Sequence, residues 1–218
     1  MPNSLIIAID GPSGSGKSSV SRALAQAFNW QYLDTGALYR AVTLLALKME
    51  SAEVEDLIDA LTSKAVELIW VGNPENPCVL LNGENVNMPI RSQEVTNRVS
   101  EIAANPDVRK FLLGVQREII NNAVHGIVVE GRDIGTTVWP DAELKIFLTA
   151  DLTARAARRS AELAQSNNAD DIGLSLAKRD AIDSTRSASP LRQIEDQVVV
   201  DATHLTLEEV VAEITTRI

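Results

Sequence analysis

The segment Gly11-Pro12-Ser13-Gly14-Ser15-Gly16-Lys17-Ser18 constrains the fold more than any other part of the chain. It fits the pattern G-x-x-x-x-G-K-[ST]. It stands between an apolar run, Leu5-Ile6-Ile7-Ala8-Ile9, and a stretch from Ser18 to Phe28 in which Val20, Leu24, Ala27 and Phe28 recur at helical spacing. An unbroken run rich in β-branched residues reads as a strand buried on both faces, which places it inside a parallel sheet. Strand, glycine-rich loop and helix in that order form an anion cradle. The glycines let the backbone curl so that successive N–H groups face phosphate oxygens, and the helix opening near Lys17 aims its positive dipole end at the same point. On this reading Gly11, Pro12, Ser13, Gly14, Ser15, Gly16, Lys17, Ser18 and Ser19 are candidates for binding ATP. Lys17 reaches the β and γ phosphates, and Ser18 offers its hydroxyl to a Mg²⁺ ion completed by phosphate oxygens and water.

Further buried strands are predicted at Gly126 to Glu130, Leu144 to Leu148 and Val198 to Asp201, alternating with helical stretches at Gly36 to Lys48, Pro106 to Asn121, Thr153 to Gln165, Leu174 to Arg186 and Thr206 to Arg217. The fold class that follows is α/β, a parallel sheet flanked by helices. One segment breaks the alternation. Val66 to Val71, Val79 to Asn82 and Glu84 to Met88 read as short strands separated by Asn-Pro and Asn-Gly turns, which predicts a small antiparallel insert over 63–90 within a core of 1–62 and 91–218. A second irregular stretch, Ser166 to Asp171, follows an arginine-bearing helix and suggests the tip of a flap, so a short lid is assigned to about 151–172.

The chain has 218 residues and a formal net charge of -10, which repels a phosphate polymer and argues against binding nucleic acid. A local basic site for a small anion is still allowed. Cys78 is the single cysteine, so no intramolecular disulfide forms, and a reducing compartment fits. The N-terminus lacks the basic region of a signal peptide, and the longest apolar segment, Ala41 to Leu47, is far below the roughly 20 residues of a membrane span. A cytoplasmic monomer without a membrane partner is expected. Cys78, His204 and the three tryptophans receive no catalytic role.

A phosphate loop does not name the acceptor, since GTPases, switches and small-molecule kinases share it. No Asn-Lys dipeptide occurs, which removes the guanine-reading segment of a GTPase. Four other clusters stand out. Asp34-Thr35-Gly36-Ala37-Leu38-Tyr39-Arg40 places polar groups at a helix start, and Glu130-Gly131-Arg132-Asp133 follows a strand at the carboxyl end where open α/β sheets bind ligands. Arg155, Arg158 and Arg159 fall at i, i+3 and i+4; Arg179, Asp183 and Arg186 fall at i, i+4 and i+7. Read alone, the first arginine set is a solvated helix face and Asp183 a surface ion-pair partner, while Asp133 suits a helix cap.

Taken in order with the phosphate loop, these segments, with Arg91-Ser92-Gln93-Glu94-Val95 and Pro190-Leu191, resemble the bacterial cytidylate kinase family of nucleoside monophosphate kinases across nearly the whole chain. The resemblance implies a parallel core, a lid over the phosphates and an insert on the CMP side. It implies that Thr35, Arg109 and Asp133 read cytosine, that Ser100, Arg179 and Asp183 bind ribose, and that Arg40, Arg132 and Arg186 hold the acceptor phosphate or steer its base. Arg155, Arg158 and Arg159 would be lid arginines, with Arg158 on ATP and Lys17, Arg132, Arg155 and Arg159 neutralising the transition state. The family often has serine where this chain has Thr35, and the added methyl narrows the base pocket. The implied reaction is phosphoryl transfer from ATP to CMP and to dCMP. A kinase for another small acceptor such as UMP, or a nucleotide-dependent switch, stays open as an alternative. Asp133 accepting from the cytosine amino group while Arg109 donates to N3 and O2 suits the cytosine edge, whereas uracil reverses that edge at C4 and N3.

Overall fold

A computed structural model describes residues 5–49, 54–163, 169–186 and 188–218. The apolar run before the phosphate loop forms β1 (Leu5–Asp10), the middle strand of a five-stranded sheet. β6 (Gly126–Gly131) and β7 (Leu144–Thr149) pair with it in parallel, while β2 (Gln31–Asp34) and β8 (Val198–Asp201) close the edges in the order β2-β6-β1-β7-β8. Alternate residues of β1 serve opposite sides, which is why the run has no polar position. Ile6 and Ala8 join one apolar cluster with Leu38, Val42, Leu112 and Ile120; Ile7 and Ile9 join another with Val20, Leu24, Val210 and Ile214. The helices that supply those residues are α2 (Thr35–Lys48) and α5 (Pro106–Asn121) on one face, and α1 (Lys17–Phe28) and α8 (Leu207–Thr215) on the other.

A separate antiparallel sheet contains β3 (Leu68–Val71), β4 (Cys78–Leu81) and β5 (Glu84–Asn85). Asn82 and Gly83 turn β4 into β5 with φ of 50° and 79°, the left-handed pair that a two-residue hairpin needs. This sheet leans on the edge strand β2: Tyr32 N–H donates to the Gly72 carbonyl at 3.0 Å, and the Trp70 indole donates to the Tyr32 carbonyl at 2.6 Å. Trp30 stacks on Phe28 and lies against Gly126, where a Cβ would come within 2.6 Å of its ring. The tryptophans of this region therefore pack and dock.

One strand and two α-helices were absent from the sequence expectation: β2, α3 (Val54–Thr62) and α4 (Gln93–Ala104). β2 is four residues long and its apolar pair follows α1 almost directly, so no strand period has room to develop. The tip expected at Ser166 to Asp171 is corrected in part. Residues 164–168 lie outside the described residues, but α7 (Ala169–Thr185) already begins at Ala169, and Asp171 falls in its first turn, where a carboxylate suits the helix dipole. α6 (Leu152–Leu163) precedes it. No described helix is long and apolar enough to cross a membrane.

Candidate active site

Loops leaving the carboxyl ends of β1, β2 and β6 meet over one cavity of about 540 Å³. The phosphate loop forms its floor. Gly11 runs so close to β7 that a Cβ would fall 2.0 Å from the Leu148 carbonyl oxygen, and Gly16, at φ 95°, turns the chain into α1. Lys17 folds back, donating through Nζ to the Pro12 carbonyl at 2.7 Å. Burial, and then the neighbouring Arg132, push its pKa down to about 7.

Glu130, at the end of β6, is buried beside Lys17 and accepts from the Tyr32 hydroxyl and from Ser18. Burial, then the charge of Asp34, holds its pKa well above the usual carboxylate range. Asp10, also buried, accepts from the Ile134 N–H at 2.7 Å, the Gly135 N–H at 2.9 Å and Gln197 Nε2 at 3.1 Å, which fixes the turn that carries Arg132 and Asp133. Burial outweighs those bonds and pushes Asp10 up to about 6.

The acceptor-side candidates converge on the same space. Thr35 Oγ1 donates to the Glu130 carbonyl at 2.7 Å at the start of α2, whose N-cap is Asp34. Asp133 stands at the head of a π-type turn, Ile134–Val138, yet makes no capping bond. Its carboxylate instead pairs with Arg109 Nη2 at 2.5 Å and lies 3.7 Å from Arg186 Nη2. Arg109 in turn lies over the Tyr39 ring, 5.6 Å from its centroid. Asp183 is not a surface partner: Arg132 Nε donates to it at 2.8 Å, while Arg186 is 3.9 Å away. Arg40 donates to the Ile90 carbonyl and Thr96 Oγ1.

Nine basic side chains line the cavity (Lys17, Arg22, Arg40, Arg91, Arg109, Arg132, Arg159, Arg179 and Arg186) against four acidic ones (Asp34, Glu130, Asp133 and Asp183), in a chain whose net charge is -10. Burial first, and then other arginines, lower Arg40 to about 9 and Arg179 to about 10. Arg179 Nε and Arg186 Nη2 are buried without a hydrogen-bond partner. Such a cluster is costly until an anion enters.

Ser13, Gly14, Gly16, Ser18, Ser19 and Ser100 also line the cavity. Among the arginines of α6, Arg159 lines it, whereas Arg155 and Arg158 turn to backbone oxygens: Arg155 Nη1 to Ser13 at 3.0 Å, and Arg158 Nη1 to Ser15 at 3.3 Å and Nη2 to Ala202. Sequence reasoning left Asp10, Tyr32, Glu130 and Arg91 without individual roles. For Glu130 a signal existed: an acidic residue closing an apolar strand that lies beside the phosphate-loop strand.

The family model for cytidylate kinase matches residues 7–218. The chain belongs to the cytidylate kinase family. A cytidylate kinase of Streptomyces griseus is 50% identical over 210 residues, covering 96% of this chain and 90% of that one, and a family member from Carboxydothermus hydrogenoformans is 47% identical over 212 residues, covering 95% and 94%. Among solved structures, an uncharacterized protein from Eubacterium ventriosum (TM-score 0.55, 13% identity, 98% and 97% coverage) and shikimate kinase from Bacteroides thetaiotaomicron (0.51, 11%, 98% and 97%) share the fold. These likenesses show the fold alone, a mainly parallel five-stranded sheet flanked by helices.

Proposed function

We propose that the protein transfers the γ-phosphoryl group of ATP to CMP, and likewise to dCMP, giving the diphosphate and ADP. Family membership supports the reaction, and one observation carries the acceptor: the Asp133 carboxylate and the Arg109 guanidinium meet as a buried pair lining the same cavity as the phosphate loop. That pair matches the donor and acceptors of a cytosine edge, with Thr35 beside it. Ser100, Arg179 and Asp183 then serve the ribose, and Arg40, Arg132 and Arg186 the acceptor phosphate and base. Residues 11–19 with Arg158 take ATP. The antiparallel segment 63–90 acts as the CMP-side insert, and about 151–172 as the lid, on a core of 1–62 and 91–218. One chain supplies every residue assigned to the site, which suits a monomer, and the single cysteine suits the cytoplasm.

The attacking group is a phosphate oxygen already anionic at neutral pH, so no catalytic base is required. The work left is positioning and neutralising charge on the transferring group. Lys17, Arg132 and Arg159, which line the cavity, carry that charge; Arg155, expected to share this role, is paired with Asp180 and acts through the Ser13 backbone it holds, and the lid excludes water. The Ser18 hydroxyl beside the buried Glu130 carboxylate fits a Mg²⁺ ion, which these two residues would help to hold. When bound, Mg²⁺ supplies charge neutralisation on the phosphates.

ADP release is to be measured with CMP, dCMP, UMP, AMP and shikimate as acceptors. CMP and dCMP are expected to accelerate it most. Acceleration by UMP or shikimate alone would assign another acceptor, and nucleotide turnover indifferent to every acceptor would assign a switch. A second expectation concerns protons. Lys17 is largely neutral in the free enzyme above its pKa of about 7, and polyphosphate restores its charge. ATP binding at about pH 8 should therefore take up about one proton, read as a dependence of calorimetric heat on buffer ionisation enthalpy. Proton release, or no exchange, contradicts this.

A further inference from the structure

Ser13 is held at each of its polar atoms. Its N–H donates to Asp180 Oδ1 at 2.9 Å, its carbonyl oxygen accepts from Arg155 Nη1 at 3.0 Å, and its hydroxyl accepts from Arg132 Nη2 at 2.7 Å. Asp180 and Arg155 are themselves an ion pair. A carboxylate from α7 and a guanidinium from α6 thus grip the backbone of one phosphate-loop residue from its two polar sides. Arg155 Nε is fixed in addition by the Ala150 carbonyl at 3.0 Å, so the guanidinium cannot swing without losing bonds on both of its edges.

An isolated helix-to-helix ion pair would count for little. This one differs in two respects. Its side chains are only 11% and 17% exposed, and its third partner is a backbone amide in the loop that must hold phosphates in a fixed place. A lone carboxylate so near that loop would also repel a polyphosphate. Paired with Arg155 it brings no net charge, and so conveys geometry without an electrostatic penalty.

We propose that Asp180 is a positioning residue for phosphoryl transfer: with Arg155 it clasps the Ser13 backbone and sets the lid helix α6, against α7, at a fixed height over the phosphate loop. This rests on the kinase reading above. Asp180 does not line the cavity, so acceptor binding does not depend on it directly. Arg132, bonded both to Ser13 and to Asp183, ties the same residue to the acceptor side.

Asp180→Ala and Asp180→Asn in the full chain test the clasp. Misplacing the lid should lower kcat by about 10²-fold in the alanine variant. The asparagine keeps an acceptor for the Ser13 N–H but loses the charge facing Arg155, and should cost about tenfold. KM for CMP should stay within about threefold in both. Amide exchange of Ser13 in the nucleotide-free protein should accelerate at least ~tenfold in Asp180→Ala. Arg155→Ala, which leaves Asp180 unpaired before the phosphates, should weaken ATP binding, and adding Asp180→Asn should restore part of it. Unchanged kcat per folded enzyme with only a lower unfolding midpoint would mean a purely structural pair and overturn the proposal, as would a rise in KM for CMP at unchanged kcat. If Asp180→Ala does not fold, Asp180→Asn decides on the same criteria. If the wild type ignores CMP, the function assigned above fails, while Ser13 exchange and the Arg155 rescue still judge the clasp.

Discussion

Asp133→Asn is expected to lower kcat/KM for CMP by about 10²–10³-fold and for UMP by less than about tenfold, so that the ratio between the two acceptors shrinks. The substitution barely changes shape. It replaces one oxygen of a buried acceptor by an N–H₂ donor, facing Arg109 at the 2.5 Å contact or the ligand itself. An N–H₂ group cannot receive the cytosine amino group but can donate to uracil O4, so the loss falls on one substrate. Asp133→Ala has a further consequence. It strands the Arg109 and Arg186 guanidinium groups without their shared carboxylate, and the free protein should lose about 3–5 kcal/mol. Steady-state assays with both acceptors, and urea unfolding of both variants, measure the two effects separately. Equal losses for CMP and UMP would reject the base-reading role.

The parts of this site that could be read from the sequence are those built locally. The apolar run Leu5 to Ile9 before a glycine-rich octapeptide leaves little choice but a buried strand, a cradle and a helix, and β1 and α1 follow. The Asn82-Gly83 turn was legible for the same reason, since its chemistry lies within two residues. What spacing could not supply is direction. Arg155, Arg158 and Arg159 share one side of α6, but whether a guanidinium faces phosphates or carbonyl oxygens depends on how the phosphate loop passes beneath, and the three divide accordingly. Asp183 was legible as a neighbour of Arg179 and Arg186 in the helix, while its closest cation, Arg132, is 51 residues away. Glu130 and Tyr32 come together only because β2 pairs with β6 in register, Tyr32 opposite Val128 and Asp34 opposite Glu130. A four-residue edge strand leaves almost no period from which to infer that pairing.

The contrast between the net charge of -10 and the basic cavity has an energetic reading. Only four of the thirty carboxylates line the cavity, while nine of the twenty cations are gathered there, where water is scarce, and repel one another until a ligand arrives. Part of the binding energy of the nucleotides is therefore spent relieving strain already present in the free protein. Lys17 exposes this most directly.

Lys17→Met should abolish nearly all activity, at least about 10³-fold in kcat, and at the same time make the free protein more stable. Burial, with Arg132 nearby, holds the Lys17 ammonium at a pKa of about 7 against an ordinary 10.5. A base whose pKa is depressed in the folded state binds fewer protons there than in the unfolded chain, so stability rises with pH between those two values. Below the folded pKa the penalty is present in full; above 10.5 it is gone. A methionine of similar reach removes the penalty, which is net of the attraction to Glu130 and Asp10, and the gain should be on the order of 2–4 kcal/mol at about pH 7. It should shrink as pH rises above 7 and vanish only above 10.5, where the wild-type lysine is neutral in both states. The same variant should lose the proton uptake expected on ATP binding. Urea unfolding across that pH range, with single-turnover rates on the same samples, measures both sides: a destabilised Lys17→Met protein, or a gain independent of pH, would mean that the free enzyme does not hold its lysine under strain.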